Sequence, residues 1–338
     1  MSNIEFSFFF LVINIFIYLF YKRISRIINV YDIPNNRKIH KKKTPLIGGY
    51  IVFFNLVLFT LLIFFDFYDI NLIKHIFISK SNYLIFFIVS TLIFFIGTLD
   101  DQINLNANVK LLLLLFSISL LIFLDDTVII SQLRWSFTDN IFFLQKYSHF
   151  FTILCFLLFI NACNMFDGIN LQSTTYYIFL TFFLLKFNNL NFFIIFFLIT
   201  LLPIFALNKN GKIFMGDSGV YLCSFILSFI IIKNYNIDMK IDADFIFILM
   251  MLPGVDMFRL FLLRISKKKN PFAADANHIH HLLLKKFSSN KTLLIINLII
   301  VIPTILSFLN ISSFLIVILF LVLYVIFIFK SYKLIKFD

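Results

Sequence analysis

The polar residues of this 338-residue chain collect in five short segments, and each holds groups that could do chemistry. The first carries Arg37, Lys38, His40, Lys41, Lys42 and Lys43, then Gly48 and Gly49. Lys and Arg offer point and forked cations to phosphate oxygens, and the glycines permit close backbone approach. A basic loop that only sets topology has the same composition. The second segment pairs Asp100 with Asp101, followed by Lys110. Adjacent carboxylates can hold a divalent cation, or one can act as a base; a solvated turn with an acid capping the next helix is the plainer reading. Asp125-Asp126 repeats the pair elsewhere, with no other charged residue beside it in the sequence.

The third segment contains Asn161, Asn164, Asp167, Gly168 and Asn170. On a continuing helix Asn161, Asn164 and Asp167 share one face. Three oxygen-bearing side chains in a row suit a magnesium ion, or hydrogen bonds to a sugar or base. The fourth is Phe214-Met215-Gly216-Asp217-Ser218-Gly219, in which flanking glycines predict a tight turn presenting the Asp217 carboxylate. The fifth begins inside an apolar run with Asp256 and Arg259, towards one end of that run. It continues through Arg264 to His278, His280 and His281. His-x-His-His could bind metal or donate hydrogen bonds to a pyrophosphate. Without a nearby Cys or a clear fourth ligand, the second reading is preferred.

Positioning these segments falls to apolar helices. The chain is 61% hydrophobic and only 14% charged, with a mean hydropathy of +0.98; soluble domains are roughly 25% charged. A span needs about 20 mostly apolar residues. Eleven candidates lie near 5–22, 47–66, 82–99, 109–127, 148–164, 172–187, 189–207, 218–233, 241–263, 292–309 and 312–330. The predicted fold is all-α: a single polytopic membrane domain over 1–338 with about 10–11 transmembrane helices. An odd number of spans separates the termini. Placing the N-terminus outside and the C-terminus in the cytoplasm puts most of the 29 Lys and Arg residues on the cytoplasmic side, as topology requires. That assignment sends all five polar segments to one face, in loops near 22–46, 100–110, 161–171, 208–217 and 264–291. The net charge of +12 is therefore read as topology and not as nucleic-acid binding. Cys155, Cys163 and Cys223 show no paired spacing, and the apolar N-terminus is read as a retained first span.

In order and together, the segments resemble the polyprenyl-phosphate N-acetylhexosamine-1-phosphate transferases, glycosyltransferase family 4. The match rests on Asp100-Asp101, on Asn161-x-x-Asn164-x-x-Asp167-Gly168, on Phe214-Met215-Gly216-Asp217, and on Pro271-Phe272 with Asp275, His278, His280 and His281. The Pro-Phe and His-x-His-His form is similar to the undecaprenyl-phosphate GlcNAc-1-phosphate branch that starts O-antigen and related surface glycans. The peptidoglycan branch, which transfers phospho-MurNAc-pentapeptide, usually carries three consecutive histidines. The resemblance implies a UDP-N-acetylhexosamine donor, undecaprenyl phosphate as acceptor, Mg²⁺ or Mn²⁺ as cofactor and UMP as leaving group. It further implies a bacterial inner membrane location, with a homodimer as one expected assembly. Asn164 and Asp217 are the implied metal ligands. Asp100 is the candidate base or organiser, with Asp101 supporting the metal or Lys110. The catalytic set is Asp100, Asp101, Asp167 and Asp217. Arg37, Lys38, Gly49, Lys110, Asn161, Asn170, Arg259, Arg264, His278, His280 and His281 are the expected substrate contacts. The family's usual second acid in the third segment is replaced by Asn170. A polytopic transporter or lipid flippase is the competing class; it would favour midplane charges in repeated halves, and no repeat is evident.

Overall fold

A computed structural model describes residues 3–34, 42–67, 76–187, 191–237, 241–270, 277–309 and 311–335. Arg37 and Lys38 lie outside the described residues, as do Pro271, Phe272 and Asp275. Each of the eleven predicted spans is a helix. In chain order these are α1 (Asn3–Ile28), α2 (Gly48–Phe64), α3 (Lys80–Ile103), α4 (Ala107–Leu124), α5 (Ser148–Phe166) and α6 (Gln172–Phe187), followed by α7 (Phe192–Lys209), α8 (Gly216–Ile237) and α9 (Ala243–Ser266). A short α10 (Ile279–Leu284) precedes α11 (Ser289–Phe308) and α12 (Ser313–Ile335). Among the described residues, nine helices are long and apolar enough to cross a membrane, and the chain is an all-α polytopic membrane protein. Apolar length sets these helices, while Ser79, Asn106 and Asn191 cap α3, α4 and α7 by accepting backbone N–H groups.

Two small antiparallel ribbons supplement the helices: β1 (Tyr31–Asp32) with β2 (Thr44–Pro45), and β3 (Gln132–Trp135) with β4 (Thr138–Phe143). Each stands in a connection between spans, where its backbone groups need no hydrocarbon contact.

The bundle is organised around α8, whose residues from Ser218 to Tyr235 are all buried, against α2, α3, α5 and α6. The abundant phenylalanines serve this packing: Phe77, Phe86, Phe225 and Phe229 form one aromatic stack, with Phe77 and Phe229 centroids 5.6 Å apart. At the periphery, α1, α4 and α12 turn Phe8, Phe123 and Phe329 outward, as lipid-facing helices do.

The end of α8 away from Asp217 corrects the sequence reading of Asp125-Asp126. Asp125 is not isolated. Its carboxylate accepts a hydrogen bond from Lys233 Nζ at 3.0 Å, and both side chains are fully buried. Thr127 Oγ1 bonds both partners, and Asn236 Nδ2 donates to the Thr127 carbonyl at 2.9 Å. The sequence separation of more than a hundred residues hid the pairing. Removing one member of a buried ion pair strands the other, at a cost of roughly 3–5 kcal/mol. Lys233→Ala is expected to lower unfolding stability in detergent micelles by about that amount. The paired replacement Lys233→Met with Asp125→Leu is expected to recover most of it, read from equilibrium or thermal unfolding.

Candidate active site

The site begins where α3 ends against the start of α8. Asp101 accepts the backbone N–H of Asp217 at 2.7 Å and of Ser218 at 3.1 Å, and the Ser218 hydroxyl at 2.7 Å. It therefore caps α8 from another helix, placing a carboxylate on the positive end of the helix dipole. Asp217 is consequently in the first turn of a helix and not in the free turn expected from the sequence. Gly216 supplies the left-handed residue before it (φ +74°), and a Cβ there would stand 2.8 Å from the Asp101 carboxylate.

Backbone contact on a second side locks the same point. Gly48 and Gly49 donate their N–H groups to the carbonyls of Phe214 (3.1 Å) and Met215 (3.0 Å). A Cβ on Gly49 would lie 2.4 Å from Gly219 N, and one on Gly97 2.4 Å from Ser218 Cα. Gly49, an expected substrate contact, thus spends its backbone on α8.

Asp100 is buried and held from three directions. Its Oδ1 accepts the Leu105 N–H at 3.0 Å; its Oδ2 accepts the Tyr221 hydroxyl at 2.9 Å and pairs with Lys110 Nζ at 2.5 Å. The local turn explains this. Asn104 takes a left-handed C-cap (φ 49°) and Asn106 caps α4, folding Lys110 back over the end of α3. Lys110 therefore pairs with Asp100 and not with Asp101. The Asp217 carboxyl lies within hydrogen-bond reach of the Asp100 carboxyl, so two acids and one lysine share the pocket.

Tyr221 was not among the expected residues. It follows Asp217 by four positions, hence on the same face of α8, and its oxygen also accepts Asn164 Nδ2 at 3.4 Å. That bond leaves the Asn164 carbonyl oxygen available beside the acids. The spacing from Asp217 was the available signal.

The third segment closes α5, which stops at Phe166; Asp167 is its C-cap (ψ 84°), with its N–H still bonded to the Cys163 carbonyl at 3.1 Å. Asn161 donates to the Leu157 carbonyl one turn back at 2.8 Å. Asp167 accepts the Ser173 hydroxyl at 2.6 Å; burial pushes its carboxyl up to about 6, a shift that this bond partly offsets. Asn170 is exposed. Beside it, Leu171 adopts φ +70°, and its N–H is taken by the side chain of buried Asn208, whose Nδ2 reaches the Ile213 carbonyl at 2.8 Å. Asn208 thereby fastens the third segment to the fourth. Its place at the head of the Asn208-Lys209-Asn210 run that closes an apolar span was its only mark in the sequence.

The fifth segment is built on Asp256, which falls near the midpoint of α9 and not towards an end. Asp256 Oδ1 accepts Arg259 Nη2 (2.7 Å) and the Tyr324 hydroxyl (2.6 Å), while Oδ2 accepts the Ile279 N–H at 3.2 Å. Arg259 also donates to the Asn277 carbonyl (2.7 Å) and to Tyr324 (2.8 Å). Arg259, expected to hold substrate, is therefore engaged in fixing the histidine segment. Arg264 is buried in the last turn of α9.

His278 and His280 stack with centroids 5.4 Å apart, and His281 lies 4.3 Å from His280. His280 is pressed against Gly168, where a Cβ would stand 2.0 Å from Nε2. Burial, with the neighbouring His281 and His278, depresses His280 to about 3. At neutral pH it is an uncharged imidazole, and its buried Nδ1 has no hydrogen-bond partner.

The structure thus gathers Asp100, Asp101, Lys110, Asn164 and Asp217 in one cluster. It brings His278, His280 and His281 to Gly168, at the same end of α5. It leaves Asn170 exposed beside Gly211.

The glycosyl transferase family 4 model matches residues 83–234, which contain both acids of α3, the Asn164 segment and Asp217. Over those residues the chain is similar to glycosyl transferase family 4. Among curated relatives, the undecaprenyl-phosphate alpha-N-acetylglucosaminyl 1-phosphate transferase of Escherichia coli (strain K12) is 27% identical over 306 residues. That alignment covers 86% of this chain and 78% of the relative. The Thermotoga maritima protein of the same name is 27% identical, covering 78% of this chain and 76% of the relative. The Yersinia pestis one is 25% identical, covering 82% and 76%.

The Gly168–His280 contact gives a specific test. Gly168→Ala is expected to displace the His280 ring and cut transfer activity at least tenfold, while elution and thermal stability in detergent change little. Activity within twofold of wild type would show that His280 need not lie there.

Proposed function

We propose that this polyprenyl-phosphate sugar-1-phosphate transferase takes an N-acetylhexosamine-1-phosphate from a UDP-sugar, with undecaprenyl phosphate as acceptor. The products are the polyprenyl-diphospho-sugar and UMP. The observation that carries the reading is the convergence of Asp100, Asp217, Asn164 and Lys110 where four apolar helices end. A phosphate carried on a membrane lipid and a soluble nucleotide can meet only at such a depth. The names of the relatives favour UDP-N-acetylglucosamine as donor and the concentration of Lys and Arg favours the cytoplasmic face of the inner membrane. Initiation of a surface glycan such as O-antigen follows from the same likeness.

The residues present suit Mg²⁺. Among the described residues no three His, Cys, Asp or Glu side chains form a metal-ligand group, which disfavours a closed protein cage. Mg²⁺ is commonly held by one or two carboxylates together with substrate phosphates. Asp217 and the free carbonyl of Asn164 offer such hard oxygens, and the Asp100–Asp217 contact calls for positive charge. Bound there, the ion would neutralise the donor pyrophosphate and the departing UMP.

In the reaction an acceptor phosphate oxygen attacks the sugar-bearing phosphorus of the donor. The bond from that phosphorus to the bridging oxygen breaks, and UMP leaves with the electron pair. Such transfer depends on positioning and charge stabilisation. The acceptor's second pKa is near 6, so it arrives largely ionised. Asp100, already bonded to Leu105, Tyr221 and Lys110, serves as organiser: it orients Lys110, whose ammonium steadies the acceptor phosphate. His280 offers a neutral N–H donor to the sugar or pyrophosphate.

Purified protein with labelled UDP-N-acetylglucosamine, undecaprenyl phosphate and Mg²⁺ is expected to place label in the lipid phase and release UMP. EDTA or Asp217→Ala should abolish both. Transfer only from another UDP-N-acetylhexosamine would reassign the donor; transfer from none, by folded protein, would sink the proposal. As a second measurement, Asp100→Asn is expected to slow transfer by roughly a hundredfold without changing the shape of the pH–rate profile. Loss of the acidic limb along with the rate would instead make Asp100 a base.

A further inference from the structure

The end of the bundle opposite the candidate site carries the β3–β4 ribbon, set between α4 and α5. Its inner strand is firmly mounted. The Arg134 N–H donates to the Tyr235 hydroxyl at 2.8 Å, and that hydroxyl donates to the Gln132 carbonyl at 2.9 Å. Arg134 Nη2 reaches the Tyr235 carbonyl at 2.6 Å, the Ser136 N–H meets Asp244 at 2.8 Å, and the Phe137 ring lies 6.0 Å from Phe314.

The outer strand is uncovered. Ile141, Phe142 and Phe143 are all exposed, the two phenylalanines at 62% and 61%. Alternate residues of a strand point to opposite faces, so three exposed in succession leave both faces of β4 bare. This apolar surface does not stop at the ribbon. Tyr147, Phe150, Leu154 and Leu158 continue it as an exposed row at helical spacing, down the side of α5 that faces lipid.

We propose that β4 is an interfacial anchor, with Phe142 and Phe143 set among the headgroups and upper acyl chains of the leaflet on this side. Two constraints fix the depth. The outer edge of a two-stranded ribbon lacks a neighbouring strand for its backbone groups, which bars it from the hydrocarbon core. A rigidly mounted run of large apolar side chains, continuous with the lipid-facing wall of α5, is equally unsuited to water. Exposed Asp139 and Lys146 bracket the run, and Tyr147 is of the type enriched at the membrane–water boundary. The ribbon thereby fixes how deeply the ends of α4 and α5 sit, the same helices whose other ends carry Lys110 and Asn164.

The chain has one tryptophan, Trp135, so a single reporter can be moved. In a Trp135→Phe background, Phe142→Trp and separately Phe143→Trp place it on the anchor. Each full-length variant, monodisperse on elution, is reconstituted into phosphatidylcholine vesicles with or without bromine on the upper acyl chain, and titrated with aqueous iodide. Bromolipid is expected to quench both reporters several-fold more than iodide does. Quenching by iodide without quenching by bromolipid would place β4 in water and overturn the anchor. Protection from both quenchers would mean that protein covers the strand, and would overturn it equally.

Discussion

The capping of α8 by the carboxylate of Asp101 is the joint from which the rest of the site hangs. A helix start deep in an apolar bundle exposes N–H groups that neither water nor its own turns can satisfy. Asp101 takes two of them and the Ser218 hydroxyl besides. Glycines at 49, 97 and 219 let three helices meet backbone to backbone around that point. With the start of α8 fixed, Asp217 and Tyr221 follow one turn apart, and Tyr221 in turn reaches Asp100 and Asn164. One acid of the Asp-Asp pair holds the helix and the other bonds Leu105, Tyr221 and Lys110, although neighbours in sequence.

The same requirement repeats wherever charge is buried. Asp256 sits mid-helix because Arg259, Tyr324 and the Ile279 N–H together answer it, and in doing so they draw α12 and the histidine segment onto α9. Asp125 and Lys233 answer each other at the far end of α8. Each cluster joins helices remote in the chain. In a bundle where lipid is as apolar as the side chains, such bonds and close packing supply the specificity that the hydrophobic effect cannot.

Much of this was legible in the sequence and some was not. Helix positions followed from apolar length, because the bilayer sets it; α6 spans the residues expected, and the largest miss is at the end of α1, which runs on to Ile28 where the span was expected to close at 22. The gathering of Asp100, Asn164 and Asp217 followed from spacing and from the one-sided placement of polar segments. What escaped were pairings between distant residues: Lys233 with Asp125, Tyr324 with Asp256, Asn208 with Leu171. Nothing local marks such partners. Gly48 and Gly49 were read as close-approach residues and are so, whereas the tight turn read from Gly216 and Gly219 is a helix start.

Charge balance shows why the two halves of the site differ. The acid half holds Asp100 and Asp217 in contact, with Lys110 as their shared cation. In the histidine half burial keeps His280 neutral and Arg259 is matched by Asp256. A donor pyrophosphate and an acceptor phosphate entering between these halves add several negative charges where one lysine is already committed. On the proposed reaction a divalent cation held by Asp217 and Asn164 would add to that lysine, and a neutral imidazole would contribute direction instead of charge. A hydrogen bond from an uncharged donor discriminates by geometry, and Gly168, lacking a Cβ, leaves the space in which the His280 ring lies. Charge is thus handled at the end of α8 and orientation at the end of α5, which is where a reaction governed by positioning would divide them.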